Sequence, residues 1–429
     1  MNEATYNYVR QHADDDVRLL ALRGCKDPDV DLPFALQQIQ GRQTARRKLP
    51  SWAAIDGIQY PVHLSMEQCS SEQTARYKAT LCLSPSIPEQ SSPIPADAPT
   101  RGLSLHPSPS TLLDLTGGFG VDFAFMSEAF DEATYVERDP DLFAISSANL
   151  ALLCPKARTI CADGMEVLRQ IDHVTLIYLD PARRDNQGSR TYGIADCTPN
   201  VLDIKDEILD KADFVMLKLS PMLDWRKAVQ DLGSEYVSEV HIVSVDNECK
   251  ELLLLLTKAP SAPLTIHCVN NDQHFSYYPS AQGDASLAKN PPPSTHQPSP
   301  TESPSLWRGS GEAFLLEPNA SIMKAGCFAE LADHFGITPI APNSHLFLSD
   351  SPIPDFPGRI FQIMAVSSMN KHDLKSALQG ITRANITTRN FPLSAVQLRQ
   401  RLKLLDGGDT YIFATTQADG TRILLVCRR

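Results

Sequence analysis

The sequence predicts an α/β protein built on a doubly wound, mostly parallel sheet, with a helical region before it and an α+β module after it. Three observations carry this prediction. Between two proline-rich seams, short apolar runs alternate with helical stretches, the pattern of βα units joined by right-handed crossovers. The first of these runs ends in an acid followed by a glycine-rich turn. Acids also follow the next runs, which suits a ligand crevice at the carboxyl ends of parallel strands.

The 429 residues exceed the size of one ordinary domain. Hydrophobic residues make up 42% and charged residues 21%, so a packed core is possible and wholesale disorder is excluded. The longest apolar run, Leu252 to Leu256, falls far short of a bilayer span. The start, MNEATYNYVRQHADDD, has neither the basic nor the apolar part of a secretory signal. A soluble cytoplasmic protein is the expectation. None of the ten cysteines lies within six residues of another, so no metal-binding spacing arises and reduced core thiols are expected.

The net charge of −12 argues against a generally basic nucleic-acid coat protein. The charge is uneven. Lys371 to Arg429 hold ten Lys/Arg and four Asp/Glu, a balance of +6, which leaves −18 for the rest. A basic C-terminal module on an acidic body can touch a polyanion without the whole surface binding it. An ordinary solvated surface fits the same count.

Seven prolines between Pro85 and Pro109, and six between Pro291 and Pro304, mark the seams. Before the first, Asp15 to Leu22 and Leu32 to Ile39 show helical spacing. The basic residues Arg42, Arg46, Arg47 and Lys48 follow, and Ser71 to Lys78 reads as a capped helix start or turn. Between the seams the expected strands are Leu112–Leu115, Thr134–Val136, Thr159–Cys161, Thr175–Leu179, Phe214–Leu217, His241–Val245 and Leu264–Val269. After the second seam come a helical stretch to His334 and short strand-like runs. LSAVQLRQRLKLL is an amphipathic helix capped by Ser394. Tyr411–Thr415 and Arg422–Cys427 are strands joined through Asp419-Gly420.

The segment TLLDLTGGFGVD is the most informative. Glycines at 117, 118 and 120 let the backbone approach a ligand and adopt positive φ. A dinucleotide site wants a third glycine where this chain has Phe123. A site for S-adenosylmethionine wants an acid before the glycines to face the ammonium of the methionine end, and Asp114 supplies one. Glu137, 23 residues on, ends the next strand and suits two ribose hydroxyls. Asp163 follows the third strand, where an acid commonly receives the adenine amino group. Asp180-Pro181 ends the fourth, where a fixed carboxylate can orient an attacking amine or accept its proton.

With those residues in hand, the chain resembles the class I S-adenosylmethionine-dependent methyltransferases over about residues 110 to 270. DLTGGFG looks like their first motif, with Thr116 in the usual first-glycine place. The resemblance implies a Rossmann-like sheet with Asp114, Thr116, Gly117, Gly118, Gly120, Glu137 and Asp163 on the cofactor. DPAR resembles the Asp-Pro catalytic motif of enzymes that methylate nucleic-acid bases, which implies a catalytic role for Asp180, Pro181 and Arg183.

The chain also resembles a bacterial group of such enzymes with a THUMP-like C-terminal module. That likeness rests on SSEQTARYK, DLTGGFGVD, DPARRD, LEPNASIMKAG, NSHLF and TRNFPLS…LRQRLKLLDGGDTYIFATT. It implies an RNA substrate, tRNA or rRNA. It also implies four parts: an N-terminal helical region over 1–84, the methyltransferase domain over 110–263, a ferredoxin-like piece over 264–350 with an insertion at 281–310, and a THUMP-like domain over 351–429. Arg399, Arg401 and Lys403, clustered on one predicted helix, are the candidate RNA contacts.

Amino-methylating enzymes usually carry a stacking aromatic where this chain has Arg183. Tyr192, Phe119 and Trp225 are possible substitutes, and Arg183 with Arg184 is a possible phosphate clamp. No cysteine follows the fourth or fifth strand to attack a pyrimidine ring, Cys197 reads as structural, and a base nitrogen is the leading target. No metal is expected. The alternatives are a methyltransferase of small molecules or proteins, and a non-catalytic RNA-binding protein on the same fold. An NAD-linked oxidoreductase ranks last because of Phe123.

Overall fold

The computed structural model describes residues 1–83, 109–183, 193–260, 262–279 and 313–429. Nearly all of both seams, Arg184, Tyr192 and the 281–310 segment lie outside the described residues, as does the side chain of Arg183. The chain divides into two compact units. The first is Met1–Val245 with Lys250–Thr265, and the second is Asp246–Cys249 with Ile266–Arg429.

The first unit opens with six helices: α1 (Glu3–Gln11), α2 (Val17–Arg23), α3 (Leu32–Lys48), α4 (Pro50–Ala53), α5 (His63–Gln68) and α6 (Glu72–Leu83). Asp31 caps α3 by accepting the Phe34 N–H at 3.1 Å, with Pro33 in the first turn where its missing N–H is harmless. Ser71 accepts the Thr74 N–H at 3.2 Å and starts α6, in keeping with its place in the sequence. The first three helices share a small cluster of their own, Val9, Leu20, Ala35 and Ile39. Leu49, Trp52, Tyr60, Met66 and Leu81 belong to the same buried cluster as Leu112, Phe123, Tyr135 and Tyr178 of the sheet layer. From the end of α3 onward, the N-terminal region is therefore part of the first unit's interior.

The sheet strands of this unit are β1 (Thr111–Asp114), β2 (Glu132–Glu137), β3 (Arg158–Cys161), β4 (Val174–Leu179), β5 (Ala212–Leu219), β6 (Val237–Val245) and β7 (Glu248–Leu256). Their order is β3-β2-β1-β4-β5-β7-β6. From β3 to β5 all pairs are parallel, with registers such as Leu113↔Thr134, Leu113↔Ile177 and Leu176↔Phe214. The order reverses between β1 and β4, the switch point beyond whose carboxyl ends sheets of this kind bind their ligands. Helices α7 (Val121–Met126), α8 (Pro140–Leu153), α9 (Gly164–Gln170), α10 (Val201–Asp210) and α11 (Trp225–Leu232) connect the strands. This is the class I methyltransferase form of the Rossmann-like fold.

Two features differ from the sequence expectation. β7 is a strand that the sequence pattern does not declare; it runs antiparallel to β5, with Val215 opposite Leu256. Its Leu252–Leu256 stretch is buried on both faces, so it shows no alternation by which to recognise a strand. The expected strand at Leu264–Val269 forms as β8 (Thr265–Asn270), but it pairs antiparallel with β9 (Gln273–Tyr277) through a turn at Asn271, φ 52°.

The second unit carries a sheet of β10 (Phe314–Pro318), β11 (Thr338–Pro339), β12 (Phe347–Ser349), β13 (Gly358–Ser368), β14 (Asn385–Arg389), β15 (Thr410–Thr416) and β16 (Arg422–Arg428). The order is β11-β12-β10-β13-β16-β15-β14. Only the β14–β15 pair is parallel. Helices α12 (Ala320–Ala325), α13 (Phe328–Phe335), α14 (Lys371–Ala377) and α15 (Ala395–Leu402) complete it. Ser394 and Gln397 form a reciprocal cap on α15, and the helix ends early because Lys403 turns left-handed at φ 57°.

β10 and β13 meet at Gly358, where a Cβ would lie 2.2 Å from the Glu317 carbonyl oxygen. The obstacle is backbone and cannot rotate away. Gly358→Ala should lose about 3 kcal/mol in denaturant unfolding of the whole chain, at the upper end of overpacking costs. A change below about 0.5 kcal/mol, the range of neutral surface substitutions, would show that the two strands can part without loss.

Candidate functional site

The glycine-rich turn is laced to its neighbours through backbone and side chains. The Leu115 N–H donates to the Tyr178 carbonyl at 3.1 Å and the Gly117 N–H to the Val136 carbonyl at 2.8 Å. Gly118 and Gly120 have φ of 56° and 80°, a region glycine enters freely. Gly117 is required for space instead, since a Cβ there would stand 2.1 Å from the Tyr135 ring. At Gly164 a Cβ would meet the Leu115 carbonyl oxygen at 2.3 Å, so the start of α9 packs directly on the turn.

The Thr116 side chain has a use of its own in the turn. Its Oγ1 accepts the Asp180 N–H at 2.7 Å, which ties the turn after β1 to the residue that ends β4. Asp114 Oδ1 accepts the Thr116 N–H at 2.9 Å. Asp114 is 1% exposed, and burial raises its carboxyl well above the usual carboxylate range. The Thr116 hydrogen bond opposes that rise, and the nearby Asp122, Asp180 and Glu137 add to it. A cation placed in this crevice would relieve it.

Glu137 accepts the Gly118 N–H on Oε2 at 2.8 Å and the Asp139 N–H on Oε1 at 2.7 Å. Both oxygens are held in place and each keeps a second acceptor site. Asp163 is exposed, and its Oδ1 caps α9 through the Met165 N–H at 2.8 Å. This row of acceptors suits a ligand with an ammonium at one end and a vicinal diol further along. Pro181 is buried, and a two-residue antiparallel pairing sets the Arg183 backbone opposite Cys197. Phe119 and Trp225 are each 4% exposed, so both are packing residues; Phe119 meets Trp52 edge to face at 5.2 Å.

Sequence reasoning missed the charges beneath this crevice. The Lys218 Nζ donates to Asp180 Oδ2 at 2.6 Å and lies 3.6 Å from Asp122 Oδ2. Asp122, on α7, also accepts hydroxyl hydrogen bonds from Ser70 and Tyr178, both at 2.7 Å. The Lys78 Nζ stands 3.2 Å from Asp122 Oδ1 and is paired with Glu251 of β7. Lys78 is completely buried. One local signal was available: a lysine inside the apolar strand FVMLKLS needs a partner, because an unpaired charge is rarely buried. The partners themselves come from segments far apart in the chain and leave no spacing to read.

In the second unit, Arg399 pairs with Asp406, while Arg401 and Lys403 are exposed at the end of α15. Glu317 on β10 is 5% exposed and pairs with Arg359 of β13 at 2.5 Å and Arg389 of β14 at 3.3 Å.

Comparison with known proteins agrees with this architecture. Residues 358–429 match the family described as THUMP domain-like, and residues 314–357 match a ferredoxin-like domain family. No curated protein sequence matches the chain. A candidate methyltransferase from Porphyromonas gingivalis W83 is 28% identical, with 99% of this chain and 97% of that one covered at a TM-score of 0.78. A candidate class I S-adenosylmethionine-dependent methyltransferase from Listeria monocytogenes is 11% identical, covering 63% of this chain and 94% of that one at a TM-score of 0.37. A candidate RNA methyltransferase from Pyrococcus horikoshii is 12% identical, covering 49% and 96% at 0.33.

The buried charges fix a stability expectation. Lys78→Met would leave Asp122 and Glu251 without their shared cation, and full-chain unfolding should lose about 3–5 kcal/mol. Burial works against the charge on Asp122, but Lys78, Lys218 and the two hydroxyls outweigh it and hold the carboxyl at about 2 against a usual 3.8. A depressed acid stabilises the fold above its unfolded value. That contribution should be complete at neutral pH and fade as pH falls from about 4 to 2. An acid unfolding curve unchanged by Asp122→Asn would refute the assignment.

Proposed function

We propose that this chain is an S-adenosylmethionine-dependent methyltransferase that modifies a base nitrogen in RNA, of the tRNA or rRNA class. The observation that carries this reading is Asp180. It ends β4 at the switch point of the sheet, with its N–H on Thr116 and its side chain on Lys218. Glu137 stands two strands away with acceptor sites for a ribose diol. Asp114 is too buried for much direct contact, and because burial favours its neutral form, its part is to give up its proton and answer the charge as an ammonium arrives above it. Asp163 keeps one carboxylate oxygen beyond the one that caps α9, suited to an exocyclic amine.

S-adenosylmethionine, when bound, supplies an electrophilic methyl on a sulfonium. The residues of this chain do the rest. Asp180 is 38% exposed at its side chain, enough to meet an incoming amine. By accepting a hydrogen bond from that amine, Asp180 draws the nitrogen lone pair out of conjugation and holds it in line. A nitrogen that took that methyl would become positive. Asp180 stabilises that charge until the proton leaves to solvent. The THUMP-like module, with Arg401 and Lys403 exposed, supplies cations suited to phosphates.

The direct test is transfer of labelled methyl from S-adenosylmethionine to RNA lacking the modification, followed by nucleoside analysis. Asp180→Asn should lower the single-turnover rate about 100-fold or more while leaving cofactor affinity nearly intact. Near wild-type turnover by a stable, cofactor-binding variant would sink the mechanism, and labelling of protein or small molecules alone would redirect the substrate.

Reversing Arg401 and Lys403 to Glu should weaken RNA binding and reduce the steepness of its salt dependence, by about 0.7–0.9 for each phosphate no longer neutralised. An identical salt slope would make α15 structural.

A further inference from the structure

We infer that Lys218 is the positioning residue for Asp180, fixing which carboxylate oxygen faces substrate. The inference rests on the reading of Asp180 given above and goes beyond it, because it assigns a role to a residue from a different strand. Asp180 is held at two points. Thr116 Oγ1 accepts its N–H at 2.7 Å, and the Lys218 ammonium occupies Oδ2 at 2.6 Å. Pro181 then removes backbone freedom on the other side. Oδ1 is left as the oxygen able to meet an amine in the crevice.

Lys218 is itself anchored. Its side chain is 11% exposed, and its ammonium lies 3.6 Å from Asp122 Oδ2. Asp122 in turn is fixed by Ser70, Tyr178 and Lys78, and Lys78 by Glu251. The donor on Oδ2 is thus the end of a rigid row, in which each member is set by the next. Burial alone would favour a neutral lysine here, but Asp180, Asp122 and Glu251 outweigh it and raise the Lys218 amine above its ordinary value. Lys218 therefore remains a cation. With the ammonium donating to Oδ2, Oδ1 is the oxygen turned toward the reacting nitrogen.

A core ion pair with no such role would predict lower stability and nothing more. The two accounts separate in a double-mutant cycle, because residues acting through one group are not additive. Single-turnover methyl transfer, cofactor affinity and melting temperature would be measured for wild type, Lys218→Met, Asp180→Asn and the double variant. Lys218→Met should be slower by about 10- to 100-fold, the usual range for removing a positioning group, with cofactor affinity within about threefold. The double variant should be no more than about threefold slower than Asp180→Asn alone.

Lys218→Ala should regain rate with added propylammonium and not with propanol, which fills the space without charge. Should Lys218→Met not fold, Lys218→Arg carries the test. It keeps a cation between the carboxylates, yet its planar fork cannot put one donor where Nζ was, so kcat should fall with KM unchanged. Additive losses in the cycle, or a wild-type rate from Lys218→Met or Lys218→Arg, would overturn the inference while the methyltransferase reading stands. A wild-type protein that methylates no RNA would overturn that reading and this inference together.

Discussion

Lys78 and Lys218 lie in the interior of the first unit among Asp122, Glu251 and Asp180, and the order of charges from the crevice inward alternates in sign. Asp180 pairs with Lys218, Lys218 with Asp122, Asp122 with Lys78, and Lys78 with Glu251. Burying any one of these alone would be prohibitive. Together they satisfy each other, and the row joins α6, α7, β4's end, β5 and β7. An N-terminal helix, the strand at the switch point with its parallel neighbour, and the antiparallel strand must all be in place before these charges are compensated. The constraint thus reaches from the core to the carboxylate at the crevice.

The same logic explains the turn above it. Thr116 departs from the glycine expected at that place because its hydroxyl is the acceptor for the Asp180 N–H. The turn after β1 and the end of β4 then move as one. Gly117 and Gly164 are demanded by crowding against Tyr135 and Leu115, whereas Gly118 is demanded by its positive φ. The glycines of one motif thus serve different physical needs, which a motif string does not separate.

In the second unit, the ferredoxin-like and THUMP-like matches abut at residues 357 and 358. The boundary falls between hydrogen-bonded strands of one sheet, with Phe314 opposite Gln362 and Glu317 opposite Arg359. Glu317 also reaches Arg389 on β14. Two sequence families here share a continuous ladder and a buried carboxylate, so they form one folded body.

The sequence by itself determined what depends on local pattern. The alternation of apolar runs and helices, the glycine turn and the Ser394 cap each declare themselves within a few residues, because period, φ and capping act over that range. The acids Asp114, Glu137, Asp163 and Asp180 were visible for the same reason, the first two closing their strands and the other two just beyond theirs. β7 was hidden because burial on both faces erases alternation. Lys218 and Lys78 were visible as residues, one in KLSP and one in SSEQTARYK, yet nothing in those segments says what they pair with. Only the tertiary structure decided that Lys78 would meet Asp122 and Glu251, 44 and 173 residues away, and that Lys218 would meet Asp180. A buried charge is tolerated only where its partners converge, and convergence is a property of the packed chain.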